Sequence, residues 1–160
     1  MRFILGLILL SLFACGKPCY WTHDTIRSHH KDYSKIVYNP RDPIHGIELE
    51  LVSAEEHLKG YLNIHACPLP LHPDQSKSIV VKIEIDGQTT TYEAFRLEGG
   101  QRVLLPDDLL NTLVNSLSND INVTVILPGY RSQILAEGFM EHFKHVQHPF
   151  FMENPFHLPF

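Results

Sequence analysis

The run SIVVKIEIDGQTTTYEAF, Ser78 to Phe95, constrains this chain more than any other stretch. Ile79, Val81, Ile83 and Ile85 fall on one side of an alternating pattern and Lys82 and Glu84 on the other, the period of a strand with one buried face. Asp86-Gly87 follows and supplies the positive φ angles that a two-residue hairpin turn needs. The return run, Gln88 to Phe95, is rich in Thr and aromatic side chains, which suit a pleated, half-buried surface. The stretch predicts an antiparallel hairpin.

The same alternation recurs on both sides. In GIELELV, Ile47, Leu49 and Leu51 alternate with Glu48 and Glu50, and in LKGYLNIHA, Leu58, Leu62 and Ile64 alternate with Lys59, Asn63 and His65. A Pro-rich loop, CPLPLHPDQSK, separates that pair from the central hairpin. Further on, Asp107 stands where a cap would, with Asp108 in the first turn of an amphipathic helix. Leu109, Leu110, Leu113, Val114 and Leu117 make its apolar stripe. INVTVIL reads as a strand, Pro128-Gly129 as a turn, and SQILAEGF as the returning partner.

Six or seven short strands, a single amphipathic helix and frequent tight turns predict a mainly β fold, an antiparallel β-sandwich. At 160 residues the chain suits one domain with a real core. Its boundaries are placed at residues 43–146, after an entry segment at 15–42 with no sustained period and before a Pro/aromatic tail at 147–160. A strand, a Leu-Leu amphipathic helix, another strand and then Gly138-Phe139 resemble small periplasmic sandwiches of the invasion-associated locus B type, over roughly Tyr92 to Phe139.

The N-terminus sets an expected address. Arg2 precedes the apolar run Phe3 to Phe13, and 11 residues make only about 16 Å of helix, short of the roughly 20 residues a bilayer span needs. One charge, a short apolar stretch and then a small residue is the build of an export signal, here residues 1–14. Leu12-Phe13-Ala14-Cys15 resembles the lipobox of bacterial lipoproteins, with Phe13 departing from the usual smaller residue. That resemblance implies acylation of Cys15 after cleavage, through a thiol that accepts the lipid. Two or three acyl chains hold a protein firmly to a bilayer where one does not. Gly16, in place of the Asp that typically retains such lipoproteins at the inner membrane, implies the outer membrane. Cys19 and Cys67 are then the remaining thiols, either paired as a disulfide in an oxidising compartment or unpaired.

No Gly-x-Ser-x-Gly elbow, His-Glu-x-x-His pair, phosphate-binding Gly loop or Cys-x-x-Cys motif is present. LEGGQR lacks the Lys-Ser/Thr that would hold a phosphate, and Glu55-Glu56-His57 and Asp107-Asp108 are adjacent acids that do not face one another. A net charge of -5 without a dense Lys/Arg stripe argues against a nucleic-acid partner. His142, His145 and His148 recur every third residue among 11 histidines, a spacing that on a helix would let two of them share a metal. Glu141, Glu153, His29 or His30 would have to complete that site, and solvated surface histidines are the competing reading. In the tail, Phe150, Phe151, Phe156 and Phe160 alternate with prolines; such a strip either covers the body of the protein or docks to a partner.

The sequence therefore predicts a lipid-anchored envelope protein without catalysis or cofactor, binding another envelope protein through a sheet face or this tail. A periplasmic metal-binding protein using the C-terminal histidines is the alternative, and a hydrolase whose site residues meet only in the fold a third.

Overall fold

The computed structural model describes residues 19–27, 32–54, 57–71, 74 and 77–147. Among them, nine strands form one antiparallel sheet in the spatial order β1-β2-β3-β4-β7-β6-β5-β8-β9. The strands are β1 Trp21–Arg27, β2 Asp32–Tyr38, β3 Ile47–Ala54, β4 His57–Ile64, β5 Ser78–Ile85, β6 Gln88–Arg96, β7 Arg102–Leu104, β8 Val123–Leu127 and β9 Tyr130–Ile134. Helix α1 spans Asp107–Ser118 and helix α2 spans Phe139–Gln147. The mainly β, antiparallel class is as the sequence predicts. The count is not: among the described residues a single sheet of nine strands and two helices stand where six or seven strands and one helix were expected.

The central hairpin forms as its residues dictate. Ile85 pairs with Gln88, and Asp86 and Gly87 take φ of 49° and 78°, which only a Gly or a short polar residue adopts easily. Leu127 pairs with Tyr130 across Pro128-Gly129, where Gly129 has φ of 83°. Along every strand the buried residues share one face. Ile79, Val81 and Ile83 of β5 join Leu49 and Leu51 of β3, Leu62 of β4 and Val123 and Val125 of β8 in one apolar cluster.

Both helices close over that face. Leu109, Leu110, Leu113 and Leu117 of α1 are buried in the cluster. Gly60, in the middle of β4, admits them: a Cβ there would lie 2.8 Å from Leu110 Cδ1 and 2.9 Å from Leu105 Cδ1. Asp107 is not the cap the sequence predicts. Pro106, in extended conformation, holds that position, and the Asp108 carboxylate accepts the Leu109 N–H at 2.8 Å.

The entry segment expected at 15–42 contains β1 and β2, so the folded unit begins well before residue 43. Trp21 is fully buried, as are Ser34, Ile36 and Tyr38 of β2. Their pattern escapes a hydropathy reading because the inward row includes Ser34 while Val37 faces outward. Ser34 is satisfied inside by donating to the His145 carbonyl oxygen at 2.9 Å. The run after Pro128-Gly129 also divides differently from expectation. Strand β9 stops at Ile134, the Ala136 N–H donates to Asn122 Oδ1 at 2.9 Å, and Gly138 at φ of 83° redirects the chain into α2. Phe139, Phe143 and Val146 then form the buried stripe of that helix.

The sheet coils until its last strand returns to its first three. Trp21 Nε1 donates to the Leu135 carbonyl oxygen at 2.8 Å, Tyr38 Oη to that of Gln133 at 3.0 Å, and the Ile47 N–H to Ser132 Oγ at 2.8 Å. β1 and β9 remain the two edges of the sheet order, so the barrel is not closed. Burial pushes the Tyr38 phenol up from its ordinary value, which keeps its hydroxyl a donor at this seam.

Candidate functional site

A cluster of reactive side chains lies where α2 crosses β1. His23, exposed, lies on the same side of β1 as Trp21, and His142 and His145 stand one turn apart on α2, beside the buried stripe. His23 Nδ1 is 3.0 Å from His142 Nδ1, and the His23 ring stacks on His145 with centroids 3.9 Å apart and planes 7° from parallel. The Cys19 Sγ lies 3.6 Å from His142 Nε2 and 3.0 Å from the Trp21 carbonyl oxygen. The frame beneath is rigid: Trp21 packs edge-on against Phe139 at 4.9 Å, Phe139 stacks on Phe143, and the Trp21 and Ser34 hydrogen bonds fasten β1 and β2 to the last helix.

Each nitrogen of His142 thus has one partner. Two Nδ1 atoms in contact share one proton between them. If His142 supplies it, His142 Nε2 is left as an acceptor facing the thiol. Among the described residues, no group of three or more His, Cys, Asp or Glu is arranged to hold a metal ion.

The second feature is the outer face of the sheet. Phe95 is 60% exposed in the middle of it, with Ser78 opposite on β5 and Leu104 opposite on β7. Leu104 in turn faces Tyr61 on β4, and Val80, exposed on β5, lies one step along. This apolar strip ends in a polar network. The Arg102 guanidinium sits 3.9 Å over the Tyr61 ring and 3.0 Å from Glu50. Asn63 Nδ2 donates to Glu48 at 2.7 Å and Glu50 at 3.0 Å, and His65 Nε2 approaches Glu48 at 3.3 Å.

A third feature is a cleft of about 320 Å³ at the seam, lined by Tyr38, Arg41, Asp42, His45, Arg131 and Ser132 among others. Its polar side chains are already engaged. Arg131 pairs with Glu84 at 2.8 Å, Arg41 donates to Tyr20 Oη, and His45 lies 3.1 Å from Asp42. Asp42 also accepts the His45 and Ile44 N–H groups, and those backbone bonds hold its carboxyl below the usual aspartate range.

Of the residues singled out in the sequence, His142 and His145 come together on α2, whereas Cys15, His148, Phe150, Phe151, Phe156 and Phe160 lie outside the described residues. Cys19 and Cys67 are free and exposed rather than bridged. Cys19 faces His142, while Cys67 is held elsewhere, its N–H donating to Tyr130 Oη at 2.8 Å and its carbonyl accepting from the same hydroxyl at 2.7 Å. The pairing of Cys19 and His23 with α2 was missed. The signal for it was Phe139, Phe143 and Val146 at helical spacing, which would have turned both histidines to one side of a helix. No described helix is long and apolar enough to cross a membrane.

The chain matches no protein-family model, no curated protein and no solved structure.

Proposed function

We propose that this chain is an envelope lipoprotein, tethered through acyl chains on Cys15, that binds another envelope protein and performs no catalysis in doing so. The observation that carries the binding reading is Phe95, a large aromatic side chain 60% exposed at the centre of a strip with Val80, Leu104 and Tyr61. An aromatic anchor on a sheet face, rimmed by polar groups, is the arrangement that concentrates binding energy at protein interfaces. The complementary partner is an envelope protein presenting an apolar strip with cations at its edge, opposite Glu93 and Glu48. The Pro/aromatic tail is a second contact in the same reading. The return of β9 to β1–β3 supports treating the two ends of the coiled sheet as stacked layers, the sandwich expected from sequence. Outer-membrane placement rests on Gly16 after Cys15.

A photo-crosslinking side chain placed at Phe95 should capture a defined envelope protein in cells, and one at Asp120 should not. Equal capture at both positions would remove the docking assignment. Cys15→Ser should release the protein from the membrane fraction or block its processing, and unchanged attachment would remove the tether.

A further inference from the structure

We propose that Cys19 is a nucleophilic thiol, with His142 as its base and His23 as the residue that positions that base, and that its co-reactant is an exposed disulfide. The geometry uses the imidazole at both ends. His142 Nε2 stands 3.6 Å from the Cys19 Sγ, and His142 Nδ1 stands 3.0 Å from His23 Nδ1. A nucleophile within reach of a base, the base oriented by a third group, is the arrangement that activates a thiol or hydroxyl. A separation of 3.6 Å between sulfur and nitrogen is long for proton transfer at rest, and such contacts tighten when a co-reactant arrives. The resting thiol has the Trp21 carbonyl oxygen at 3.0 Å to donate to, and the imidazole waits as the alternative acceptor.

Position is held by the fold. Cys19 lies two residues before Trp21, whose indole is pinned to Leu135 and packed on Phe139. His142 is in the first turn of α2, between Phe139 and Phe143, both buried. His23 is clamped between His142 and the stacked ring of His145. Cys19 is an exposed residue, as a reactive thiol requires.

Disulfide exchange suits this site because charge passes from sulfur to sulfur, so a flanking base and an open approach suffice. His142 Nε2 takes the thiol proton, and the Cys19 sulfur bonds to one sulfur of the disulfide as the S–S bond breaks. The departing sulfur leaves as a thiolate and recovers the proton from His142. Cys19 ends in a mixed disulfide and the co-reactant as one free thiol, with no other oxidant or reductant required. The choice of a disulfide rests on the proposed export to an oxidising compartment; the reactivity of the thiol does not.

The second thiol is an internal control. Cys67 is exposed like Cys19 but its neighbour is the Tyr130 hydroxyl. The test treats the full chain carrying Cys15→Ser with 2,2′-dithiodipyridine at pH 7 and reads modification of each cysteine by peptide mass spectrometry. Cys19 should react about tenfold or more faster than Cys67, and His142→Gln should bring it within about twofold of Cys67. His23→Ala should move the pH–rate profile of Cys19 toward that of His142→Gln without changing the rate at Cys67, which a general loosening of the fold would alter. Equal rates at the two cysteines in the unsubstituted pair would overturn the proposal. So would a Cys19 that reacts only after a chelator is added, since the cluster would then be a metal site.

Discussion

The indole N–H of Trp21 donates to the carbonyl oxygen of Leu135 across 114 residues of sequence, at 2.8 Å. This bond fastens the first described strand to the chain just beyond the last, and it sits directly beneath the Cys19–His142 pair. Trp21→Phe keeps most of the apolar bulk and removes the donor, leaving the Leu135 oxygen without that partner. The expected loss is about 1–3 kcal/mol in a denaturant titration. A change below about 0.5 kcal/mol would show that the seam is held by packing alone.

Gly60 is where the sheet admits α1. Gly60→Ala places a methyl carbon 2.8 Å from Leu110 Cδ1 and 2.9 Å from Leu105 Cδ1, in a core without slack. Destabilisation of about 1–3 kcal/mol is expected, read as a lowered denaturation midpoint with an unchanged slope. Leu110→Ala in the Gly60→Ala background should recover part of that loss relative to the sum of the two single changes.

Phe95 carries the opposite expectation for stability. With 60% of its surface exposed, Phe95→Glu should change unfolding free energy by no more than about 0.5 kcal/mol while abolishing partner capture. A large loss of stability would make Phe95 a structural residue and remove the reason for naming it an anchor.

The Asp42 carboxylate accepts the N–H groups of His45 and Ile44, which lower its folded proton affinity. A depressed carboxyl stabilises the fold above the unfolded value and loses that contribution as pH falls through the folded one. Below about pH 3.8, the ordinary aspartate value, the wild-type protein should therefore lose stability faster than Asp42→Asn, which keeps an acceptor oxygen but does not titrate. Parallel acid-unfolding curves for the two proteins would refute this role.

Tyr38 makes the same seam from the neighbouring strand, its hydroxyl donating to Gln133 at 3.0 Å. Because burial raises its phenol, the contribution is present below its unfolded value, near pH 10, and fades as pH rises through the folded one. Alkaline unfolding followed by tyrosinate absorbance should show one late-titrating tyrosine that disappears in Tyr38→Phe.

What could be read along the chain was whatever depends on near neighbours. Alternation in Ile79 to Ile85, the Asp86-Gly87 turn and the Leu stripe of α1 specify their elements locally, because strand and helix periods are properties of adjacent residues. β1 and β2 were not legible, since Ser34 is buried on the strength of a hydrogen bond it donates to a helix more than a hundred residues away, while Val37 faces outward. The same holds at the candidate site. His142 and His145 were visible as a pair, but Cys19 and His23 join them only because the coiled sheet brings β1 under α2. The sheet's order, the count of its strands and the partners of each cysteine are set by long-range pairing, whose closure entropy is repaid only by contacts that no local pattern records.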